Sequence, residues 1–167
     1  DQVIICSPDK DLSQVVCEKK IVCLDRRKGV VLDEKGVLEK FGILPKSIPY
    51  YLGLMGDNSD GIPGIPRWGA KASSTLLERY ESIEAIPTDY RLWDVNVRGA
   101  AGLSNSLEEH REVAALYKDL ATLRLNAPVS EKVDDLEWPG AHSGLYPKLC
   151  EELGMPNLAN QPQRWTS

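Results

Sequence analysis

Apolar and polar positions change their spacing twice along this chain. Gln2 to Cys6 (QVIIC) carries an unbroken apolar run from Val3, the pattern of a strand buried on both faces of a parallel sheet. It stops at SPDKDLSQVV, where Asp11 stands ready to cap a short helix through Gln14–Val16. KKIVCLDRRKGVVLD then places two short apolar runs around a basic turn. This predicts a hairpin, with strands Ile21–Leu24 and Val30–Leu32 joined at Arg26, Arg27, Lys28 and Gly29. Asp33 predicts the cap of a helix from Glu34 to Phe41, which Gly42 ends.

Beyond Leu44-Pro45 the spacing turns helical. Ser47 with Pro49 predicts a helix start that runs to Gly56. Lys71–Tyr80 is amphipathic, with Ala72, Leu76 and Leu77 on its inner side. ESIEAIP predicts a short helix stopped by Pro87, and Tyr90–Gly102 shows no clear period. Ser106 to Glu109 has capping-box spacing and opens a predicted helix from Leu107 to Leu123. Val113, Leu116, Leu120 and Leu123 form its expected inner stripe. An acidic loop and a helix at Tyr146–Leu153 follow, then a Pro- and Gln-rich tail expected to fray. The pattern predicts an α/β fold: parallel-sheet elements over residues 1–45, a mainly helical region over 46–155, and a flexible tail over 156–167.

Composition adds limits. Apolar content of 42% and charged content of 27% fit a globular chain with a core rather than a disordered tail. A net charge of −5 leaves nucleic-acid binding to local patches, such as the basic turn at Arg26–Lys28. Cys6, Cys17, Cys23 and Cys150 form no CxxC pair, which argues against zinc and for buried or half-buried free thiols in a reducing cytoplasm. No apolar run reaches the length of a membrane span, and no secretory leader pattern is present. His110 and His142 read as surface or helix-face residues, and Trp68 as a core plug.

The chemistry gathers in two places. Asp9 with Asp11, and Asp57 with Asp60, are two pairs of carboxylates beside element ends. Each could be a turn or cap residue. Together they could hold hard divalent cations, which take carboxylates, water and substrate phosphate as ligands. Between them and the next helix lies Gly64-Ile65-Pro66-Arg67-Trp68-Gly69-Ala70-Lys71. Gly64 and Gly69 allow close backbone approach, and the N–H groups opening the Ala70 helix, with Lys71 beside them, suit a phosphate. The alternative is a plain helix–helix connection. The stretch lacks the order of a Walker loop.

SPDKDLSQVV, then GLMGDNSDGIPGIPRWGAKAS, then LYKDLATLRLNAP, in that order, resemble the bacterial 5′-nuclease family over Val3–Pro128. That family comprises the 5′→3′ exonuclease domain of DNA polymerase I, its stand-alone homologues and the flap endonucleases. The resemblance implies the later part of a PIN-like α/β domain followed by a helical region with a helix–hairpin–helix (helix–three-turn–helix) element. It implies Asp9, Asp11, Asp57 and Asp60 as catalytic metal ligands for two Mg²⁺ or Mn²⁺ ions, the rest of the ligand set lying outside this chain. It implies Gly64, Gly69 and Lys71 as the hairpin that holds the duplex backbone, with a monovalent cation there; Ala70, at the helix opening, and Arg67 complete the expected DNA contacts. The implied partners are branched or 5′-ended duplex DNA, RNA primer hybrids, and an upstream part of the same protein. No membrane partner is implied. The hairpin departs from the family's Gly–apolar–Gly turn by carrying Arg67, which suggests a side-chain phosphate contact in place of close backbone approach. The leading expectation is a metal-dependent 5′→3′ exonuclease or flap endonuclease of replication and repair. The alternatives are a non-catalytic module that binds branched DNA, and a domain that pairs with a separate chain.

Overall fold

Strand β1 (Val3–Ile5) pairs in parallel with β2 (Ile21–Asp25), which turns back into antiparallel β3 (Val30–Leu32). This small sheet opens the computed structural model, which describes residues 2–167. The parallel pairing agrees with the apolar run, but its burial does not. Val3 and Ile4 are 56% and 51% exposed, because β1 is an edge strand with only β2 beside it. The basic turn joins β2 and β3. Asp25 accepts from the Arg27 and Lys28 N–H groups there, and the three basic side chains face water.

Helix α1 (Glu34–Phe41) has the expected ends. The Asp33 carboxylate accepts from the Gly36 N–H at 2.9 Å, and Gly42 closes the helix in the left-handed conformation. Helix α2 (Ile48–Met55) follows a 3₁₀ turn at Pro45–Ser47. Ser47 does not cap it. Its backbone is already helical, and its hydroxyl donates to the Glu81 carbonyl. Helix α3 (Ala70–Tyr80) buries Leu76 and Leu77 as predicted. ESIEAIP is not a helix but a turn that drives Ile83 and Ile86 into the core.

Helix α4 (Ala100–Ala121) starts seven residues before the expected opening at Leu107. Gly99, at φ 77°, supplies the left-handed entry, and Ser106 sits inside the helix with its hydroxyl committed elsewhere. The expected inner stripe is also wrong. The buried face carries Leu103, Leu107, Ala114 and Ala121, while Leu116 and Leu120 are 55% and 63% exposed. The cause is close helix approach. An added Cβ on Gly53 of α2 would lie 2.9 Å from the Ala114 carbonyl and the Lys118 nitrogen, so only small residues fit between the two helices. At His110 the helix leaves helical geometry (φ −120°, ψ 15°), and the ring Nδ1 lies 2.9 Å from the Ser106 carbonyl. A side chain inserted into the backbone ladder is an ordinary cause of such a bend.

One apolar cluster runs from Val16 to Ala121, so the change from strands to helices after Pro45 takes place inside a single core. This first compact unit ends at Leu125, and a second comprises Asn126–Ser167. The second unit holds β4 (Ala141–His142), α5 (Tyr146–Glu152) and β5 (Trp165–Thr166), and β5 pairs in parallel with β4. No disulfide is present among the described residues. Cys23 and Cys150 are buried, whereas Cys6 and Cys17 are exposed, contrary to the expected burial. No helix among the described residues is long and apolar enough to cross a membrane.

Candidate functional site

Asp9 and Asp11 follow β1, where the chain enters a 3₁₀ helix at Asp11–Val15. Asp11 opens this helix rather than capping it. Its own N–H donates to the Asp9 carboxylate at 3.1 Å, and the Asp9 N–H donates to Ser7 Oγ. Gln14 ties this short helix to the end of α4. Its amide nitrogen donates to the carbonyls of Asp11 and Ala121, both at 2.9 Å, and its oxygen accepts from the Leu123 N–H. The carbonyl of Ala121 is one of those that α4 leaves open at its end, so Gln14 satisfies the helix and fixes Asp11 together.

Asp57 and Asp60 come from the loop after α2. Asp57 and Ile62 exchange backbone hydrogen bonds at 2.7 and 2.9 Å, closing a tight loop in which Gly61 adopts φ 70°. Asp60 faces out of that loop. One carboxylate oxygen each from Asp9, Asp11 and Asp60 lies within 4.8 Å of the other two. The structure thus brings Asp60 to two acids that precede it by 49 and 51 positions in the chain. Asp57 stands outside this trio and is 3% exposed. Its Oδ1 accepts from Lys10 Nζ at 2.6 Å and from the Ser59 N–H at 2.9 Å. Its Oδ2 is buried without a hydrogen-bond partner, and so is Oδ1 of Asp11.

The electrostatics follow from this packing. Burial pushes the Asp11 carboxyl up from 3.8 to about 6; the charges of Asp9, Asp60 and Asp57 add to the rise, and Lys10 opposes it. For Asp57 burial is again the largest influence and acts upward. The Lys10 and Ser59 hydrogen bonds together outweigh it and hold the group below the ordinary range. Two orphaned carboxylate oxygens and a crowded acidic trio suit a divalent cation, which would neutralise the repulsion and take the unused lone pairs. Asp9, Asp11 and Asp60 are the residues that fit as ligands, with the free oxygen of Asp57 behind them.

The glycine loop follows at once. Gly56 and Gly64 abut, since an added Cβ on Gly64 would lie 2.6 Å from the Gly56 nitrogen, and both have positive φ. Trp68 is buried as a plug, and its indole N–H donates to the Leu103 carbonyl at 3.2 Å. Ser106 Oγ donates to the Pro66 carbonyl at 2.6 Å. Gly69 then enters α3 with no side-chain cap, leaving the helix's opening N–H groups without an intramolecular acceptor beside exposed Lys71. Gly69 has open space around it. Arg67 adopts φ 71° and is exposed. Sequence reasoning missed Lys10, Gln14 and Ser106. Only Lys10, placed between two aspartates in PDKD, carried a readable signal.

Residues 43–143 match the family described as 5′-3′ exonuclease, C-terminal SAM fold. The chain is 34% identical over 161 residues to DNA polymerase I of Bacillus subtilis, covering 94% of this chain and 18% of that protein. It is 39% identical over 129 residues to the 5′-3′ exonuclease of Buchnera aphidicola (subspecies Baizongia pistaciae), covering 77% of this chain and 42% of that protein. It therefore spans less than half the length of either relative. In fold it is similar to the 5′-exonuclease of bacteriophage T5, solved with divalent metal ions (zinc), at a TM-score of 0.60 and 16% identity. That likeness covers 72% of this chain and 43% of the other. A T5 flap endonuclease solved as a pseudo-enzyme-product complex with DNA and metal ions is similar to the same degree. From the family match and these relatives, the chain belongs to the 5′-3′ exonuclease family.

Proposed function

We propose that this chain is the C-terminal portion of a 5′→3′ exonuclease or structure-specific flap endonuclease that hydrolyses DNA phosphodiesters. The observation that carries the reading is the meeting of Asp9, Asp11 and Asp60 from two distant segments, with buried carboxylate oxygens of Asp11 and Asp57 left free. Divalent ions bound there, Mg²⁺ or Mn²⁺, supply Lewis acidity and water of lowered pKa for in-line displacement at phosphorus. Asp9, Asp11 and Asp60 hold the charge in place, Asp57 supports them, and Lys10 balances Asp57 from within. The remaining ligands belong to other parts of the whole protein.

The loop Gly64–Lys71 and the opening of α3 form the second half of the proposal. Gly69, Ala70 and Lys71 take a backbone phosphate without reading sequence. With Gly64 and Arg67 they compose a helix–hairpin–helix element that grips duplex DNA or an RNA primer hybrid, with a monovalent cation at the turn. In this reading residues 1–45 close a PIN-like sheet and residues 46–155 form the gripping region. The setting is replication and repair in the cytoplasm.

Asp60→Asn in the full-length protein is expected to abolish divalent-metal-dependent cleavage of a 5′-flap substrate while leaving duplex affinity within about twofold, measured by gel-based cleavage and by anisotropy. Near-normal cleavage by this variant would put catalysis outside this chain and favour a second reading, in which the chain is a non-catalytic module for branched DNA.

A further inference from the structure

Arg67 breaks one local rule and Gly102 breaks another, and the two residues touch. A non-glycine residue at φ 71° is strained and persists only where its surroundings fix it. Here the flanking residues are pinned to α4, Pro66 through the Ser106 hydroxyl and Trp68 through the Leu103 carbonyl. Gly102 lies in the first turn of α4, where alanine would form the better helix. The three atoms nearest to an added Cβ there all belong to Arg67: Nη1 at 2.7 Å, Cζ at 3.5 Å and Cδ at 3.6 Å. No nearer neighbour asks for glycine at this position. Violations of local preference are expected at functional or strained sites.

The guanidinium laid across Gly102 has no counter-charge. Arg79, Arg91, Arg124 and Arg164 are paired with carboxylates, and Arg111 with two carbonyls. Among the described residues Arg67 has no such partner, a condition it shares with Arg26, Arg27 and Arg98, but it alone of these borders the cavity beside Gly102. Asn105 and His110 also line that cavity, together with Glu109, which stays beyond ion-pair distance. With Nδ1 of His110 donating to Ser106, the other ring nitrogen is left unengaged. An unpaired planar cation beside an amide and an imidazole is suited to a phosphodiester.

We infer that Arg67 forms a second phosphate contact, separate from the one at Ala70–Lys71, and that Gly102 is the positioning residue that seats its guanidinium. This rests on the reading of the glycine loop as a duplex grip. The obstructing atom, Nη1, is the far end of a flexible side chain, so Gly102→Ala can displace the guanidinium without disrupting the fold.

The test is anisotropy titration of a labelled duplex with the full-length protein, in chelator to prevent cleavage, between 50 and 200 mM KCl. The variants are Arg67→Ala, Gly102→Ala, their double, and Lys71→Ala, with melting temperatures recorded alongside. Arg67→Ala is expected to weaken binding about tenfold and lower the salt slope by about 1. Gly102→Ala is expected to weaken it severalfold with an unchanged or higher melting temperature, and to add nothing in the Arg67→Ala background. Wild-type affinity for Gly102→Ala, or an additive loss in the double variant, overturns the inference. Weak binding by Lys71→Ala beside normal binding by Arg67→Ala overturns it alone. Normal binding by Lys71→Ala and Arg67→Ala together overturns the duplex-grip reading as well.

Discussion

Asp11 holds its proton more tightly in the folded chain than an ordinary aspartate, with a pKa of about 6 against 3.8. The stability linked to this group is therefore complete below about pH 4 and is lost as the pH rises through 6. In the metal-free protein, Asp11→Asn is expected to be more stable than the wild type at pH 8, by on the order of 1 kcal/mol after solvent screening, and no more stable at pH 4. Urea titrations in chelator at the two pH values read this directly. Asp57 behaves in the opposite sense. Its depressed pKa contributes stability that is present above the unfolded carboxylate range and is lost as the pH falls through the folded value. Lys10→Met leaves the buried Asp57 charge without its partner. It is expected to cost about 2–4 kcal/mol in urea unfolding, and Asp57→Asn in the same chain should restore part of that. All four acids were legible in the sequence as one chemical theme. The division between three that converge and one that turns inward was not. It depends on the Asp57–Ile62 closure, which leaves no trace in spacing, and on the Lys10 contact, whose place in PDKD shows a nearby cation but not which aspartate it pairs with.

At the level of elements, short-range signals read well and long helices read poorly. The hairpin of β2 and β3, the Asp33 and Gly42 ends of α1 and the buried face of α3 all follow from local chemistry. Helix α4 does not. Its leucines suggested an apolar stripe, but Gly53 and Ala114 let two backbones meet and turned that stripe outward. Gly53→Ala tests which influence prevails. Helix propensity alone predicts a gain of about 1 kcal/mol. The 2.9 Å approach to backbone atoms of α4 predicts instead a loss of about 1–3 kcal/mol, seen as a melting temperature lower by several degrees. Gly64→Ala should be worse, by about 3 kcal/mol or more, because positive φ and contact with the backbone at Met55 and Gly56 act together.

For the whole molecule, the division at Leu125 has a direct readout. Residues 124–139 are exposed and contain Arg124 and Lys132. Limited trypsin digestion is expected to cut there first and leave a resistant fragment ending near Leu125, identified by mass spectrometry. Within that first unit α4 meets both candidate places. Ser106 holds the glycine loop near one end, and the Ala121 carbonyl holds the Asp11 helix through Gln14 at the other. Fifteen residues at 1.5 Å each make this at most about 22 Å, shortened by the bend at His110. Laid along a duplex at 3.4 Å per step, that is a measuring stick of about six base pairs. In the proposed nuclease the helix would set how far from the gripped backbone a strand is cut. Adding a helical turn to α4 would then move the cut by one or two nucleotides.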